Sequence, residues 1–427
     1  MRVPMWKMIF YSSNQLGVNL LWQAFNTVAV FYYVTVLNVP GAALSLGLIA
    51  FGIINAFFNL FAGYLSDRTT TRWGRRIPYV LVSALPFGLA FYFLFSPPRL
   101  GVTTLIYYFL TLTFLFDFFF TVTTLNIMAL FPEMYQESHQ RNFVSALSQV
   151  FGIVGLILGV ALSKSLGQLI GWGAMALAFG LLGSSSVYLA LFGSFEDPAY
   201  RAVPALAFKD AIRATFSNRQ FVFYVVASFL IQLVTTMLTT IAAFYTKYVV
   251  PLSPLQYSLF MGAIFVVAIP VSFLWAKIAN RFSNATATLL STALCALTLL
   301  SFLFDHSPSA VIGTGVILGL SISGFLVLLN VLLADVIDYD AKQTGQRREG
   351  MYLGMNGFIV RIGLSVQYAI MALFFAVSGF DSRRTIQSAR AIWGFRILLG
   401  GLPVVLLIAA LGFLLAYRRQ TLVAESA

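Results

Sequence analysis

Apolar stretches long enough to cross a hydrocarbon core follow one another along the entire chain, at about 9–34, 43–65, 78–96, 102–131, 142–164, 167–193, 221–246, 255–276, 284–304, 309–334, 350–378 and 392–417. A core of roughly 30 Å needs about 20 helical residues. No water is available there to bond a free N–H or C=O, so each span has to satisfy its own backbone, and an α-helix does so. Composition closes off a soluble fold: 59% of the 427 residues are hydrophobic and 9% charged, against roughly 45–50% and about 25% in soluble domains. The expected fold is an all-α membrane protein with twelve transmembrane helices. The first span is too long and too polar for a signal-peptide core, and is expected to remain attached.

The polar interruptions set the topology. Between Ser66 and Arg76, charge falls at Asp67, Arg68, Arg72, Arg75 and Arg76, five of eleven positions, so this run has to be a short loop outside the core. Arg2, Lys7, Arg141, Arg201, Lys209, Arg213, Arg219, Lys277, Arg281, Lys342, Arg347, Arg348, Arg418 and Arg419 fall on the same side as that loop. Only Arg99, Lys164, Lys247, Arg383, Arg384, Arg390 and Arg396 fall on the other, with Arg361 left inside a span. Basic loops stay in the cytoplasm, which puts both termini there, in a plasma membrane that for a bacterial source is the inner one. The net charge of +12 then follows from topology and anionic lipid, and calls for no nucleic-acid partner.

The longest interruption, 194–220, divides the spans six and six, giving bundles over 1–193 and 221–427 joined by a cytoplasmic linker. Its segment Phe208 to Phe216 alternates apolar and charged residues at helical spacing and suits a helix on the membrane surface. The halves echo each other. Gly63-Tyr64-Leu65-Ser66-Asp67-Arg68 follows the second span and Trp275-Ala276-Lys277-Ile278-Ala279-Asn280-Arg281 the eighth, with Arg68 and Arg281 separated by 213 positions. Leu130-Phe131-Pro132-Glu133 ends the fourth span and Leu332-Leu333-Ala334-Asp335 the tenth, 202 positions apart. Duplication of a six-span unit points to a carrier of the major facilitator type, with its solute site near the midplane between the halves.

Three loops also carry a resemblance. Gly63 to Pro78, Leu130-Phe131-Pro132-Glu133 with Arg141, and Ala334-Asp335-Val336-Ile337-Asp338-Tyr339 with Gly345-Gln346-Arg347-Arg348-Glu349-Gly350 resemble the signature loops of the glycoside-pentoside-hexuronide:cation symporter family. The resemblance implies a twelve-helix carrier that moves a small molecule by alternating access, usually with a sodium ion or a proton. The loops have a mechanical reading of their own. Asp67, Glu133, Asp335, Asp338 and Glu349 beside Arg68, Arg72, Arg75, Arg76, Arg141, Arg281, Arg347 and Arg348 can close a cytoplasmic gate by ion pairing, since the acids have no use in fixing topology. The alternative is that the arginines only fix topology and bind headgroups.

Departures from the family pattern bear on coupling. The second-helix carboxylate pair that binds the cation in the family matches Asn55 and Asn59. A sugar-binding first-helix Asp matches Asn19, a fourth-helix Asp matches Thr124, and a fifth-helix Arg matches Gln149. Amide carbonyls offer oxygen without the charge that offsets dehydration of sodium, so a proton is the expected coupling ion. The basic eleventh-helix position is kept as Arg361, about eleven residues or ~16 Å into its span. A guanidinium at that depth costs several kcal/mol unless it is partnered. Asp117 is the one acid at comparable depth. With Thr121 and Thr124 it forms one helical stripe, and Arg361, Ser365 and Tyr368 form another, both expected to face the cavity. Whether Asp117 pairs with Arg361 or bonds neighbouring hydroxyls stays open. Gln15, Asn19, Trp22, Gln23 and Asn26 recur at i, i+4, i+7, i+8 and i+11, one polar and aromatic face expected to line the path. Asn126 and Asn356 are further candidates.

Other chemistries lack their residues. Cys295 is the only cysteine, which excludes an internal disulfide and a multi-thiolate metal site. His139 and His306 fall on opposite sides with no HExxH or nucleophile motif, so no enzyme, catalytic residue, metal or organic cofactor is expected. The expected partners are a small-molecule substrate and membrane lipids, with no obligate protein partner. Neutral sugars are the family default. Loss of acids beside a retained Arg361 also suits a hexuronide, and the apolar lining leaves a lysolipid open. A sensor built on a carrier scaffold is the non-transporting alternative.

Overall fold

The computed structural model describes residues 3–68, 74, 76–135, 138–196, 218–344 and 349–426. Nearly all regular structure among them is helical. The chain divides into two compact units, Met1–Val203 and Pro204–Ala427. The division falls inside the 194–220 linker, whose residues 197–217, with the surface helix expected there, lie outside the described set.

The first unit consists of α1 (Met5–Ser12), α2 (Asn14–Thr35), α3 (Gly41–Arg68), α4 (Ile77–Leu94), α5 (Val102–Met134), α6 (Ser138–Ile157), α7 (Ser163–Leu169) and α8 (Trp172–Gly193). The second consists of α9 (Arg219–Tyr248), α10 (Pro254–Phe282), α11 (Asn284–Leu300), α12 (Pro308–Thr344), α13 (Glu349–Val377), α14 (Ala389–Arg396) and α15 (Leu402–Ser426). A π-helical turn, Leu158–Leu162, joins α6 to α7, and another, Ile397–Gly401, joins α14 to α15. Counting α1–α2, α6–α7 and α14–α15 each as one interrupted rod, the described residues make twelve passes. Ten of these are long and apolar enough to cross a membrane on length and composition alone. The pass built on α2 is not among the ten; its amides lower its hydropathy.

Helix starts follow local chemistry. The Asn218 side chain accepts from the N–H groups of Gln220 and Phe221 (3.0 and 3.3 Å) and opens α9. Ser253 and Gln256 form a reciprocal capping box at the start of α10. Gly171, at φ 95°, makes the turn between α7 and α8. The apolar pattern predicts a break near Lys164, but the helix continues to Leu169 because glycine at 171 supplies the left-handed turn. Lys164 is therefore buried inside the rod, its ammonium 5.0 Å from the centre of the Phe31 ring.

Arg396, near the start of the expected span 392–417 and counted with the basic residues of the non-cytoplasmic side, is also buried. Its guanidinium donates to the carbonyls of Phe302, Leu303 and Asp305 (3.2, 2.7 and 2.9 Å) and lies 3.0 Å from His306 Nδ1. It thereby satisfies carbonyls of the 3-10 turn Ser301–Leu303 and of Asp305, just beyond the end of α11. Burial raises the neighbouring Asp305 carboxyl above its ordinary value, while the Thr314 hydroxyl and the Arg396 charge work against that shift.

The units repeat one packing scheme. In the first, α2 packs on α6 and α8, α4 on α5 and α8, and α3 on α5. In the second, α9 packs on α13 and α15, α11 on α12 and α15, and α10 on α12. With passes numbered within each unit, these are the same five pairs. A tyrosine of the first pass secures each: Tyr33 donates to Leu94 O and Tyr245 to Phe302 O, both at 2.9 Å.

Close approach holds α2 in place. Gly17 lies against the Gly183–Ser186 turn of α8, and Ser13 Oγ donates to Ser186 O at 2.9 Å. A Cβ added at Gly159 would stand 2.6 Å from the Leu20 carbonyl oxygen, which is backbone and cannot swing aside. Gly159→Val is therefore expected to lower the thermal unfolding midpoint by several degrees, whereas Gly313→Ala, with nothing within 4 Å of its Cβ, stays level or rises because alanine favours helix by about 1 kcal/mol. Equal midpoints for Gly159→Val and wild type would contradict the close approach.

Candidate solute-binding surfaces

Packing on several sides leaves α2 one open face. From Gly17 to Thr35 the positions that are not buried are Asn19, Trp22, Gln23 and Asn26, and the face continues toward the helix start through half-buried Gln15 and Leu16. Lipid contact would select apolar residues at such positions. The amides organise one another along the helix. Asn19 Nδ2 donates to Gln15 O and Gln15 Oε1 (2.9 and 3.1 Å), Gln15 Nε2 to Asn14 Oδ1 (3.1 Å), and Asn26 Nδ2 to Trp22 O (2.8 Å). The Gln15 and Asn14 oxygens are thus engaged as acceptors within the helix, and each bonded amide keeps a second N–H as a donor. Trp22 stacks on Phe120 of α5, centroids 4.4 Å apart and planes within 15°, which fixes the indole.

Beside this face a cavity of about 240 Å³ is lined by Tyr11, Gln15, Met128, Phe131, Ser145, Ser148 and Gln149. Gln15 and Gln149 are common to the sequence expectation and the cavity. Met128, Ser145 and Ser148 are not foreseen; the i, i+3, i+4 spacing of Ser145, Ser148 and Gln149 on α6 is the signal that marks them. Among the described residues the lining carries no charge.

Asp117 and Thr121 behave differently from the cavity stripe expected of them. Both are fully buried, as is Thr113 one turn earlier, whereas Thr124 is half-buried and donates to Phe120 O at 2.7 Å. Asp117 lies on the face of α5 that carries Leu110, two turns earlier, and Leu110 packs on Gly47 of α3. Two turns beyond Gly47 on this parallel helix comes Asn55, also fully buried. Asp117 therefore belongs to the α3 side of α5, while Phe116 and Phe120 on adjacent faces meet α2 and α4. Asn126 is buried and donates to Val122 O at 2.8 Å, a bond within its own helix.

In the second unit Arg361 and Asn356 are half-buried, while Ser365 and Tyr368 of the same stripe are buried. Gln367, not foreseen, donates to Thr240 Oγ1 at 2.9 Å and ties α13 to α9. Asp335 and Asp338, expected in a loop, lie within α12, which runs on to Thr344; Asp335 accepts from the uncharged Asn284 Nδ2 at 2.8 Å and Asp338 is exposed. The Arg281 guanidinium sits 5.5 Å from the centre of the Phe282 ring. The side chains of Asn59, Asp67, Arg68, Arg72, Arg75, Glu133, Arg141, Arg347, Arg348 and Glu349 lie outside the described residues.

One loop residue escapes the sequence reading altogether. Glu196 Oε1 accepts from the N–H groups of Arg76 and Ile77 (2.7 and 2.9 Å), capping α4 from the far end of α8. Gly74, at φ 104°, brings the backbone against this carboxylate, where a Cβ would collide with it. An acid opposite a helix N-terminus is favourable by both hydrogen bonding and dipole. Glu196→Ala should cost about 1 kcal/mol, within the usual range for a lost cap, and Glu196→Gln, which keeps an acceptor, should recover most of it in thermal denaturation of the purified protein. Indistinguishable midpoints for wild type and the alanine variant would show that the cap contributes nothing.

Comparison with known proteins fits this architecture. The family model described as MFS/sugar transport protein matches residues 10–419. The chain is 23% identical over 405 residues to the isoprimeverose transporter of Lactiplantibacillus pentosus, covering 91% of this chain and 84% of that one. It is 21% identical over 415 residues to the putative glycoside/cation symporter YagG of Escherichia coli, covering 93% and 88%. Among solved structures, a bacterial homolog of the human lysosomal transporter Spinster, inward-facing and unoccupied, superposes with a TM-score of 0.71 at 15% identity over 97% of each chain. The nucleoside transporter NupG gives 0.68 at 15% identity, covering 96% of this chain and 99% of that one. The chain belongs to the MFS/sugar transport family.

Proposed function

We propose that this carrier moves a neutral, hydroxyl-rich glycoside by alternating access, and that a proton rather than sodium drives it. That the chain is a secondary active transporter of a sugar-like solute, and not an enzyme, follows from its family. The choice of a neutral solute is carried by the open face of α2. Amide groups there hydrogen-bond sugar hydroxyls, and the fixed indole of Trp22 offers a flat apolar platform to the C–H face of a pyranose ring. The cavity lining beside it, uncharged among the described residues, favours the same solute over a hexuronide. An isoprimeverose transporter and a glycoside/cation symporter among the relatives support the class. The basic-residue bias supports cytoplasmic termini in a plasma membrane.

The coupling proposal rests on what α3 and α5 hold. Asn55 and Asn59 stand where the family places its cation-binding carboxylates, and an amide pair lacks the charge to offset sodium dehydration. Asp117, fully buried at the level of Asn55, is the carboxylate left to bind a proton. In this reading alternating access moves Asp117 between surroundings in which it takes up its proton and surroundings in which it gives it up. The loop residues of both units, with the Glu196 cap among them, serve as the gate in this reading.

The test is uptake of labelled isoprimeverose into vesicles under an imposed pH gradient, with and without sodium. Wild type should accumulate solute equally in both media. Asp117→Asn should lose accumulation while keeping solute exchange, which needs no net proton movement. A rise in affinity of roughly tenfold with sodium, about 1.4 kcal/mol, would overturn proton coupling, and accumulation by Asp117→Asn would reduce Asp117 to structure.

A further inference from the structure

The segment between α13 and α15 concentrates charge where the topology calls for little. Arg383, Arg384, Arg390 and Arg396 fall within fourteen residues, on the side that the basic-residue bias leaves poor in cations. Arg396 is accounted for by the carbonyls it bonds, and Arg384 by its pairing with Asp381, Nε to Oδ2 at 3.3 Å. Arg383 and Arg390 are exposed and their side chains take no part in either contact.

The loop that carries them holds a fixed shape. Gln387 is buried; its Nε2 donates to the carbonyls of Asp381 and Arg384, both at 2.7 Å, and its Oε1 accepts from the Asp381 N–H at 3.2 Å. Asp381 Oδ1 accepts from the Arg383 N–H at 3.0 Å. Gly379, at φ 69°, turns the chain out of α13, and Phe380 sets its ring among Phe244, Tyr248, Phe375 and Phe395. These bonds fold residues 378–388 back on themselves. Arg383, in the loop, and Arg390, in the first turn of α14, are thus carried by one frame, from which Ile386 projects 84% exposed.

The exposed face of α14 grades from charged to apolar along the helix. Arg390, Trp393 and Ile397 are exposed at i, i+3 and i+7, while Ala391 and Phe395 on the other face are buried. Helical rise sets Ile397 about 10 Å from Arg390. The buried Arg396 guanidinium lies 5.9 Å from the centre of the Trp393 ring and steadies the indole. Gly394 lets α14 close on Phe374 of α13, and Leu373 and Val377, within a turn of that contact, are exposed as well. A cation, then an indole, then aliphatic side chains follows the order of environments met on passing from lipid headgroups into acyl chains.

We infer that this frame binds an acidic phospholipid, with Arg383 and Arg390 on the headgroup phosphate and the surface of Trp393, Ile397, Leu373 and Val377 against an acyl chain. A guanidinium offers phosphate two N–H donors in one plane. Asp381, the acid of the loop, is already matched by Arg384, so the frame presents net positive charge. That charge selects an acidic lipid over a zwitterionic one, whose headgroup cation offsets the phosphate. The inference is independent of the solute and of the coupling ion.

The test is native mass spectrometry of the purified full-length protein released from micelles titrated with phosphatidylglycerol or, separately, with phosphatidylcholine. Wild type should retain phosphatidylglycerol in preference to phosphatidylcholine. The double variant Arg383→Gln, Arg390→Gln should retain one phosphatidylglycerol fewer at the same lipid concentration, and regain it only at roughly tenfold more. Arg383→Lys with Arg390→Lys, which keeps the charge, should retain most of the affinity. Because both side chains are exposed, the unfolding midpoint in lipid-free micelles should be unchanged, which separates lost binding from lost folding. Equal phosphatidylglycerol retention by wild type and the glutamine variant, or equal retention of the two lipids by wild type, would overturn the site. Displacement of the lipid by glycerol 3-phosphate would overturn it as well, by showing a site for a free phosphate anion.

Discussion

The close backbone contact of α2 with its neighbours is what the rest of the first unit depends on. Gly17 against the Gly183–Ser186 turn, and Gly159 against the Leu20 carbonyl, bring helices together at a distance that only glycine permits. In a bilayer, where lipid is as apolar as leucine, such contacts rather than hydrophobic exclusion hold helices together. Their consequence is directional. With α6 and α8 seated tightly and Phe25 against Phe116 on the α5 side, one strip of α2 remains open, and that strip carries the amides and the indole.

The buried interior of the unit is polar in a different way. Asp117, Thr121 and Thr113 are covered completely and lie toward α3, where Asn55 is also covered. In the proposed reading, solute recognition and ion handling fall to different faces of neighbouring helices: the half-open polar face of α2 and the buried carboxyl of Asp117 on α5. The two are joined through the Trp22 to Phe120 stack, since Phe120 is three residues from Asp117 on the same helix. A displacement of α5 moves both.

Much of this was legible in the residues. The spans could be read from hydropathy alone because a helix is the available answer to an unsatisfied backbone in hydrocarbon, and the α2 face could be read from helical periodicity. Lys164 and Arg396 misled the reading because charge normally marks the exposed end of a span. Both are buried, one lying over an aromatic ring and the other bonded to carbonyls just beyond a helix end, and only tertiary structure supplies such partners. Asp117 was legible as a deep acid, but its turn toward α3 depends on helix rotation, which no single periodicity fixes. Glu196 was invisible for a related reason: its partners, the N–H groups of Arg76 and Ile77, lie 120 and 119 positions away.

That the open strip of α2 is the wetted, solute-facing surface can be measured directly, because Cys295 is the chain's single cysteine and is buried. In a Cys295→Ser background, one cysteine is introduced in turn at each position from 18 to 30, and its rate of reaction with a water-soluble maleimide is followed in native membranes. Reactivity should peak at 19, 22, 23 and 26 and fall to background at 20, 21, 24 and 25. Peaks at the covered positions, or a uniformly unreactive helix, would contradict the account.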